Sequence, residues 1–227
     1  MRRLLFGCFI ATLFLPRACQ ARDLGTDTLL VFGQGYALGP MGEWTYPLGE
    51  HLLLYGAVAR ISLNTDFPDS FEYTYTFDNL LSSSTLLWDD FTCQCGGQGN
   101  TFTGGILSLY QDETPDANCK QPNTYRDGTL LLQATADEYH SLWGECWWPD
   151  CPVYSHAYLV FNGGSIINLV PIYFGLKGAS LILDYDQEVD SELRGLGIFA
   201  TTTGTAVTYS HVAVEPTTWG RVKRLYK

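Results

Sequence analysis

Tyr73, Tyr75 and Phe77 alternate with Glu72, Thr74, Thr76 and Asp78, so one side of this segment is aromatic and the other polar. A period of two belongs to a β-strand, whose successive side chains point to opposite faces. The grammar recurs. From Leu53 to Leu63 every odd position is apolar: Leu53, Tyr55, Ala57, Ala59, Ile61 and Leu63. Further strand-like runs are Thr28–Leu38, Thr101–Tyr110, Thr129–Thr135, Ala157–Phe161, Ser165–Phe174, Ala179–Tyr185, Leu196–Thr201 and Thr205–Val214. Asn162-Gly163-Gly164 offers the positive φ of a tight hairpin, and Thr203-Gly204 marks another turn. Many short strands with such turns predict an all-β domain, an antiparallel β-sandwich or jelly roll, rather than alternating β and α units.

The first residues are read apart from that domain. Arg2 and Arg3 precede an apolar run from Leu4 to Leu15, Pro16 breaks it, and Cys19-Gln20-Ala21 supplies a small-residue cleavage site. This predicts a signal peptide over residues 1–21 and export of the chain. The run falls short of the roughly 20 apolar residues of a membrane span, and no later stretch is long enough, so no transmembrane segment is expected in the mature chain. Residues 22–214 form the β-domain and 215–227 a basic tail. Within that tail Trp219, Val222 and Tyr226 would share one face of a short C-terminal helix.

Charge narrows the partners. Three of the 13 basic residues leave with the leader, so residues 22–227 carry 10 against 24 acidic, a net charge of −14. An acidic body repels phosphate backbones, which disfavours nucleic acid. A cell-surface protein or a glycan is the expected partner. With 46% apolar residues the domain needs no cofactor to fill its core.

Three local constellations carry the candidate chemistry. Export implies an oxidising compartment, where Cys146 and Cys151, bracketing Trp147-Trp148-Pro149-Asp150, are the first expected disulfide. Cys119 with Cys93 or Cys95 is the second, which leaves one cysteine over. Asp184, Asp186, Glu188, Asp190 and Glu192 alternate in the way a calcium loop brings oxygens around one ion, and calcium through Asp184, Asp186, Glu188 and Asp190 is the one cofactor the sequence proposes. Asp112, Glu113 and Asp116 form a lesser acidic group. Aromatic residues crowd around the double tryptophan, and Trp143, Trp147, Trp148 and Tyr154 could stack on sugars or on a partner surface.

Enzyme signatures are absent from the sequence. There is no Gly-x-Ser-x-Gly, no His-Glu-x-x-His and no phosphate loop, and His51, His140, His156 and His211 are scattered. The expectation is therefore a non-catalytic exported structural or interaction module. A carbohydrate-binding sandwich, with calcium as an optional aid, is the first alternative. A glycan hydrolase, which needs only two carboxylates placed in space, is the second.

Phe102-Thr103-Gly104-Gly105-Ile106-Leu107-Ser108-Leu109-Tyr110-Gln111-Asp112, followed by Tyr125-Arg126-Asp127-Gly128-Thr129-Leu130-Leu131-Leu132, resembles a pattern of secreted bacterial proteins of the PEP-CTERM (exosortase-sorted) kind. The sequence departs from that pattern at its C-terminus, which lacks Pro-Glu-Pro and a following span. The resemblance implies an exported bacterial β-rich protein and does not imply a catalytic activity. Residues Glu215–Lys227 are similar to short tails of exported proteins from uncultured bacterial lineages. That likeness implies a docking element built on Trp219, Arg221, Lys223 and Arg224.

Overall fold

The computed structural model describes residues 28–40, 46–63, 67–90, 95–145, 153–172, 177–186 and 188–208. Eight strands account for most of them: β1 (Thr28–Leu38), β2 (His51–Ile61), β3 (Glu72–Asp90), β4 (Cys95–Asp112), β5 (Thr129–Glu145), β6 (Val153–Gly163), β7 (Gly178–Asp186) and β8 (Ile198–Thr208). Each pairs antiparallel with its neighbour in sequence, and β8 returns to β1, with Thr28 opposite Val207 and Leu38 opposite Ile198. The all-β expectation holds. The architecture is a closed up-and-down barrel instead of a sandwich or jelly roll, because no strand leaves its sequence neighbours to enter a second sheet.

Alternation sorts the wall. In β7, Ala179, Leu181, Leu183 and Tyr185 are buried, whereas Ile182, Asp184 and Asp186 are exposed. The same rule turns Phe32, Leu54, Phe77, Leu107, Leu132, Leu159 and Ala206 into one core. Thr135, Asn162, Asp184, Asp186 and Thr203 face outward. That is the reverse of a lipid-facing barrel, which is apolar outside and polar within. Among the described residues no helix is long and apolar enough to cross a membrane.

Glycines let the wall close where side chains crowd. A Cβ on Gly35 would meet the Tyr75 hydroxyl and lie 2.6 Å from Thr202 Oγ1, and one on Gly56 would fall onto the backbone of Gly35. Gly204 has the same use: its Cβ would come within 2.8 Å of Leu183 Cδ2. The Thr203-Gly204 pair therefore sits inside the continuous strand β8 and not at a turn. Gly164 does take a positive φ of 98°, but no tight hairpin follows. Residues 165–172, read as a strand, form a turn and the short 3-10 segment Ile167–Leu169 before β7 begins. Ile166 and Ile167 still pack on the core, which explains the strand-like apolar pattern.

Part of the outer wall is covered. Residues 113–128, between β4 and β5, fold back along β2 and β3, placing the Tyr125 ring 5.0 Å from that of Tyr55. Thr74 Oγ1 donates to the Tyr125 carbonyl at 3.0 Å, and the Tyr55 hydroxyl donates to the Cys119 carbonyl at 2.8 Å. From the opposite rim come Val189 and the one-turn helix α1 (Ser191–Gly195), and a Lys120–Glu192 ion pair joins the two coverings. Tyr55, Tyr125, Val189 and Ile198 thus make a second, external core. This is why β2 is apolar on both faces: Leu52, Leu54 and Val58 point inward, while Leu53 and Tyr55 lie under the covering.

Beyond one rim the sheet continues as an arm. Pairing of β2 to β3 stops at His51–Leu81, but β3 and β4 stay paired to Asp90–Cys95 and β4 and β5 to Gly96–Glu145. β6 supports the base of this arm through Leu142–Tyr154. The rim beneath it is sealed by Tyr46, fully buried against Phe102 and Phe199. Asn100 fixes that plug: its Oδ1 accepts from the Tyr46 N–H at 2.8 Å, and its Nδ2 donates to the Tyr46 carbonyl at 2.8 Å and to Ser82 Oγ at 3.0 Å.

Candidate functional site

Eight strands make an interior just wide enough to be filled by side chains or to hold one small ligand. Here Tyr75, Phe77, Phe102 and Tyr139 fill it, each fully buried. Their hydroxyls have partners: Tyr75 with Thr202 Oγ1 at 3.1 Å, Tyr139 donating to Ser155 Oγ at 2.7 Å, and Tyr139 with the Tyr185 hydroxyl. Burial pushes Tyr75 and Tyr139 up, and Tyr185 up to about 12. These phenols are neutral structural groups at neutral pH and supply no base or nucleophile.

A carboxylate group gathers at the rim opposite the arm. Asp112 ends β4, and Asp116 and Asp127 come from the covering loop; one oxygen of each lies within 4.8 Å of the others. Glu72, which pairs with Asp112 across β3 and β4, accepts from the Asp116 N–H at 3.1 Å and the Ala117 N–H at 3.0 Å. Asp112 accepts from the Thr114 N–H at 2.8 Å. Desolvation, and then the charges of Asp127, Asp112 and Glu72, raise the Asp116 carboxyl above its ordinary value. Carboxylate oxygens are the kind of donor a hard divalent cation takes, and three of them fall short of the roughly six to eight oxygens around calcium. The sequence pointed to Asp112 and Asp116. Asp127 was missed because ten residues of loop separate it from Asp116, and only the fold returns it.

The alternating acidic run is divided between two local structures. Asp184 and Asp186 lie exposed on the outer face of β7. Asp186 accepts from the Glu188 N–H at 2.9 Å, and Asp190 is the N-cap of α1, accepting from the Leu193 N–H at 2.9 Å. These bonds end the strand and start the helix turn.

The other expected residues fall as follows. Trp143 lies in β5 opposite Gln98, and Tyr154 in β6 opposite Leu142, so both belong to the arm. Trp147, Trp148, Cys93, Cys146 and Cys151 lie outside the described residues, as do the leader and the tail with Trp219, Arg221, Lys223 and Arg224. Cys119 is unbridged in the structure, and Cys93, one of the partners expected for it, lies outside the described residues. The covering loop holds Cys119 on the barrel flank beside the Tyr36 hydroxyl, whereas Cys95 opens β4 at the far end of the arm.

One surface had no signal in the sequence. On the outer face of β6 and β7, Tyr158 packs edge-on against His156, ring centroids 4.8 Å apart, and Ile182 lies opposite His156. Tyr158 and Ile182 are nearly half exposed. Comparison of the chain with protein-family models, with curated proteins and with solved structures finds no match in any of the three.

Proposed function

We propose that this protein is a non-catalytic, exported interaction module of the bacterial surface or its surroundings, in which the barrel is a rigid base and the arm the contact element. The observation that supports this reading is the contrast between the two parts. The barrel interior is packed with paired tyrosines and phenylalanines, while β3, β4 and β5 run on past the sealed rim. A ladder that runs on beyond the filled barrel is better suited to presenting a surface than to holding a reaction. The packed barrel below it limits the motion of its base.

Saturable binding of the labelled full chain to bacterial envelope preparations tests the reading, with release of sugar, peptide and ester products measured alongside. Replacing residues 86–99 by Asn-Gly joins Thr85 to Asn100 through a two-residue hairpin turn. That variant is expected to keep the barrel's thermal transition and lose binding at least tenfold. Product release by the wild type, or equal binding without the arm, refutes the proposal.

A carbohydrate partner is the second reading, favoured by the exposed Tyr158 and Ile182 beside Asp184 on the wall below Trp143 and Tyr154. An exposed ring bordered by a hydrogen-bonding group suits a sugar face. Binding on a glycan array that falls with Tyr158→Ala supports it, and an array without signal removes it.

A further inference from the structure

The arm has one long open edge. Pairing of β3 with β2 ends at His51–Leu81. The last bonds beside it run from the Gly49 N–H to the Ser82 carbonyl at 2.9 Å and from the Ser82 N–H to the Glu50 carbonyl at 3.0 Å. The chain upstream of His51 then leaves the line of β2. The Pro47–Glu50 turn carries Tyr46 into the rim, where Asn100 takes its N–H and carbonyl. The plug thus deprives β3 of the partner that a longer β2 would supply. β3 nevertheless continues, paired on its other side with β4 from Ser84–Thr101 to Asp90–Cys95. Among the described residues no strand lies on the side it has lost. The opposite flank of the arm is better covered, because only Trp143, Gly144 and Glu145 of β5 run beyond β6. An open strand edge carries unpaired N–H and C=O groups that template a further strand, and lysine, proline or a short length ordinarily blunts it. Ser83-Ser84-Thr85-Leu86-Leu87-Trp88-Asp89-Asp90 contains no lysine and no proline. Ser83, Ser84 and Thr85 are exposed, and the bulge between Ser82 and Ser84 lies at the base, so the run beyond it is unbroken.

We propose that this edge, Ser84–Asp90 of β3, pairs antiparallel with the same edge of a second copy of the chain and joins two arms into one continuous sheet. The inference deepens the proposed function by naming a partner for the arm, and it rests on that reading in treating the arm as a contact element. The composition of the edge selects its own copy. Ser84 and Thr85 stand at one end, Leu86, Leu87 and Trp88 in the middle, and Asp89 and Asp90 at the other. A twofold axis at Leu87 reverses that order on the second copy. Ser84 then meets Asp90, Thr85 meets Asp89 and Leu86 meets Trp88. Each acidic residue stands opposite a hydroxyl residue and none opposite another acid. Like charges directly opposite destabilise a strand pair, whereas apolar pairs and opposed hydrogen-bonding groups support it. A parallel pairing in register would set Asp89 against Asp89 and Asp90 against Asp90. Because the paired strands run in opposite directions, the two barrels stand at opposite ends of the joined sheet.

Sedimentation velocity of the full chain, from low micromolar to millimolar concentration, reads the association, and hydrogen–deuterium exchange over the same range locates it. A monomer–dimer equilibrium is expected, with the amides of residues 84–90 slowing as the dimer forms. Thr85→Asp sets a carboxylate opposite Asp89 on both sides of the twofold and should raise the dimer dissociation constant about tenfold. Thr85→Lys replaces that repulsion by attraction and should lower the constant below the wild-type value. Thr85 is exposed, and an unchanged thermal transition checks the fold of each variant. Ser84→Asp, which meets Asp90, takes the place of Thr85→Asp if that variant unfolds. A chain monomeric at every concentration, a dimer that Thr85→Asp and Ser84→Asp leave as tight as the wild type, or a dimer whose 84–90 amides exchange as in the monomer overturns the proposal. Slowing of those amides only when envelope preparations are added assigns the edge to a strand of another protein and also overturns it. Envelope binding by a chain that stays monomeric sinks the pairing and leaves the proposed function standing, whereas the expected dimer without envelope binding does the reverse.

Discussion

Asn100→Leu removes the two hydrogen bonds from this side chain to the backbone of the plug residue Tyr46, and a third to Ser82, while keeping a side chain of similar size. The Tyr46 N–H and carbonyl each lose a partner at 2.8 Å, and Ser82 Oγ loses one at 3.0 Å. Tyr46 and Asn100 are fully buried, so water does not replace what is lost. An orphaned buried polar group costs about 1–3 kcal/mol, and the two backbone groups of Tyr46 alone put the loss at about 2–6 kcal/mol. Asn100→Asp separates the electrostatic part. One carboxylate oxygen still faces the Tyr46 N–H, but the other faces the Tyr46 carbonyl and Ser82, where the amide donated. Burial and that opposition raise the folded-state pKa above the unfolded value of about 4. A pKa raised on folding gives stability that is present below the unfolded pKa and lost as pH rises through the folded one. Relative to wild type, Asn100→Asp should therefore be less damaging at about pH 4 than at about pH 7. Urea unfolding at both pH values, with unchanged m values, measures both effects. A loss below about 1 kcal/mol for Asn100→Leu, or an Asn100→Asp deficit that shrinks as pH rises, refutes the reasoning.

Other outcomes follow from the same geometry. Gly35→Ala places a methyl group against the Tyr75 hydroxyl and Thr202, and should cost about 1–3 kcal/mol as overpacking; denaturant curves should show partial recovery in the Gly35→Ala/Tyr75→Phe double variant. Burial holds Tyr185 up to about 12, so its contribution is complete below about pH 10 and lost between about pH 10 and 12. Phenolate absorbance and circular dichroism should then change together, and tyrosine ionisation completed while the fold persists would contradict this. Asp127→Asn removes the largest of the charges that raise the Asp116 carboxyl, and a carboxyl-detected NMR titration should show Asp116 titrating at lower pH than in the wild type.

The sequence exposed strands wherever one face is dry and the other wet. β1 was bounded at Thr28 and Leu38 as the structure has it, and β7 nearly so. The arm was not legible, because Ser82-Ser83-Ser84-Thr85 and Cys95-Gly96-Gly97-Gln98-Gly99-Asn100 have no apolar alternation and take strand form from their neighbours' register. Closure was also hidden, since it depends on β1 meeting β8 across nearly the whole described chain. Glycine carried an ambiguous message: Gly204 serves close approach between strands where the same residue elsewhere serves a turn. Of the acidic residues, the regularly spaced run around Asp184 became a strand edge and a helix cap. The less regular Asp112 and Asp116 met Asp127 through a loop whose path is set by Tyr125 packing on Tyr55.

The pairing of β8 with β1 has a geographic consequence. Thr28 and Thr208 lie at the same rim, and the arm extends from the other. The molecule is therefore bipolar. Any chain that precedes β1 or follows β8 departs from the pole remote from the arm. A tether at either end, or at both, would hold the barrel by its base and leave the arm directed away from the attachment. Joining residue 208 to residue 28 by a short linker and opening the chain between β7 and β8, at the other rim, would then move the attachment point to the arm's pole without disturbing a single strand pair.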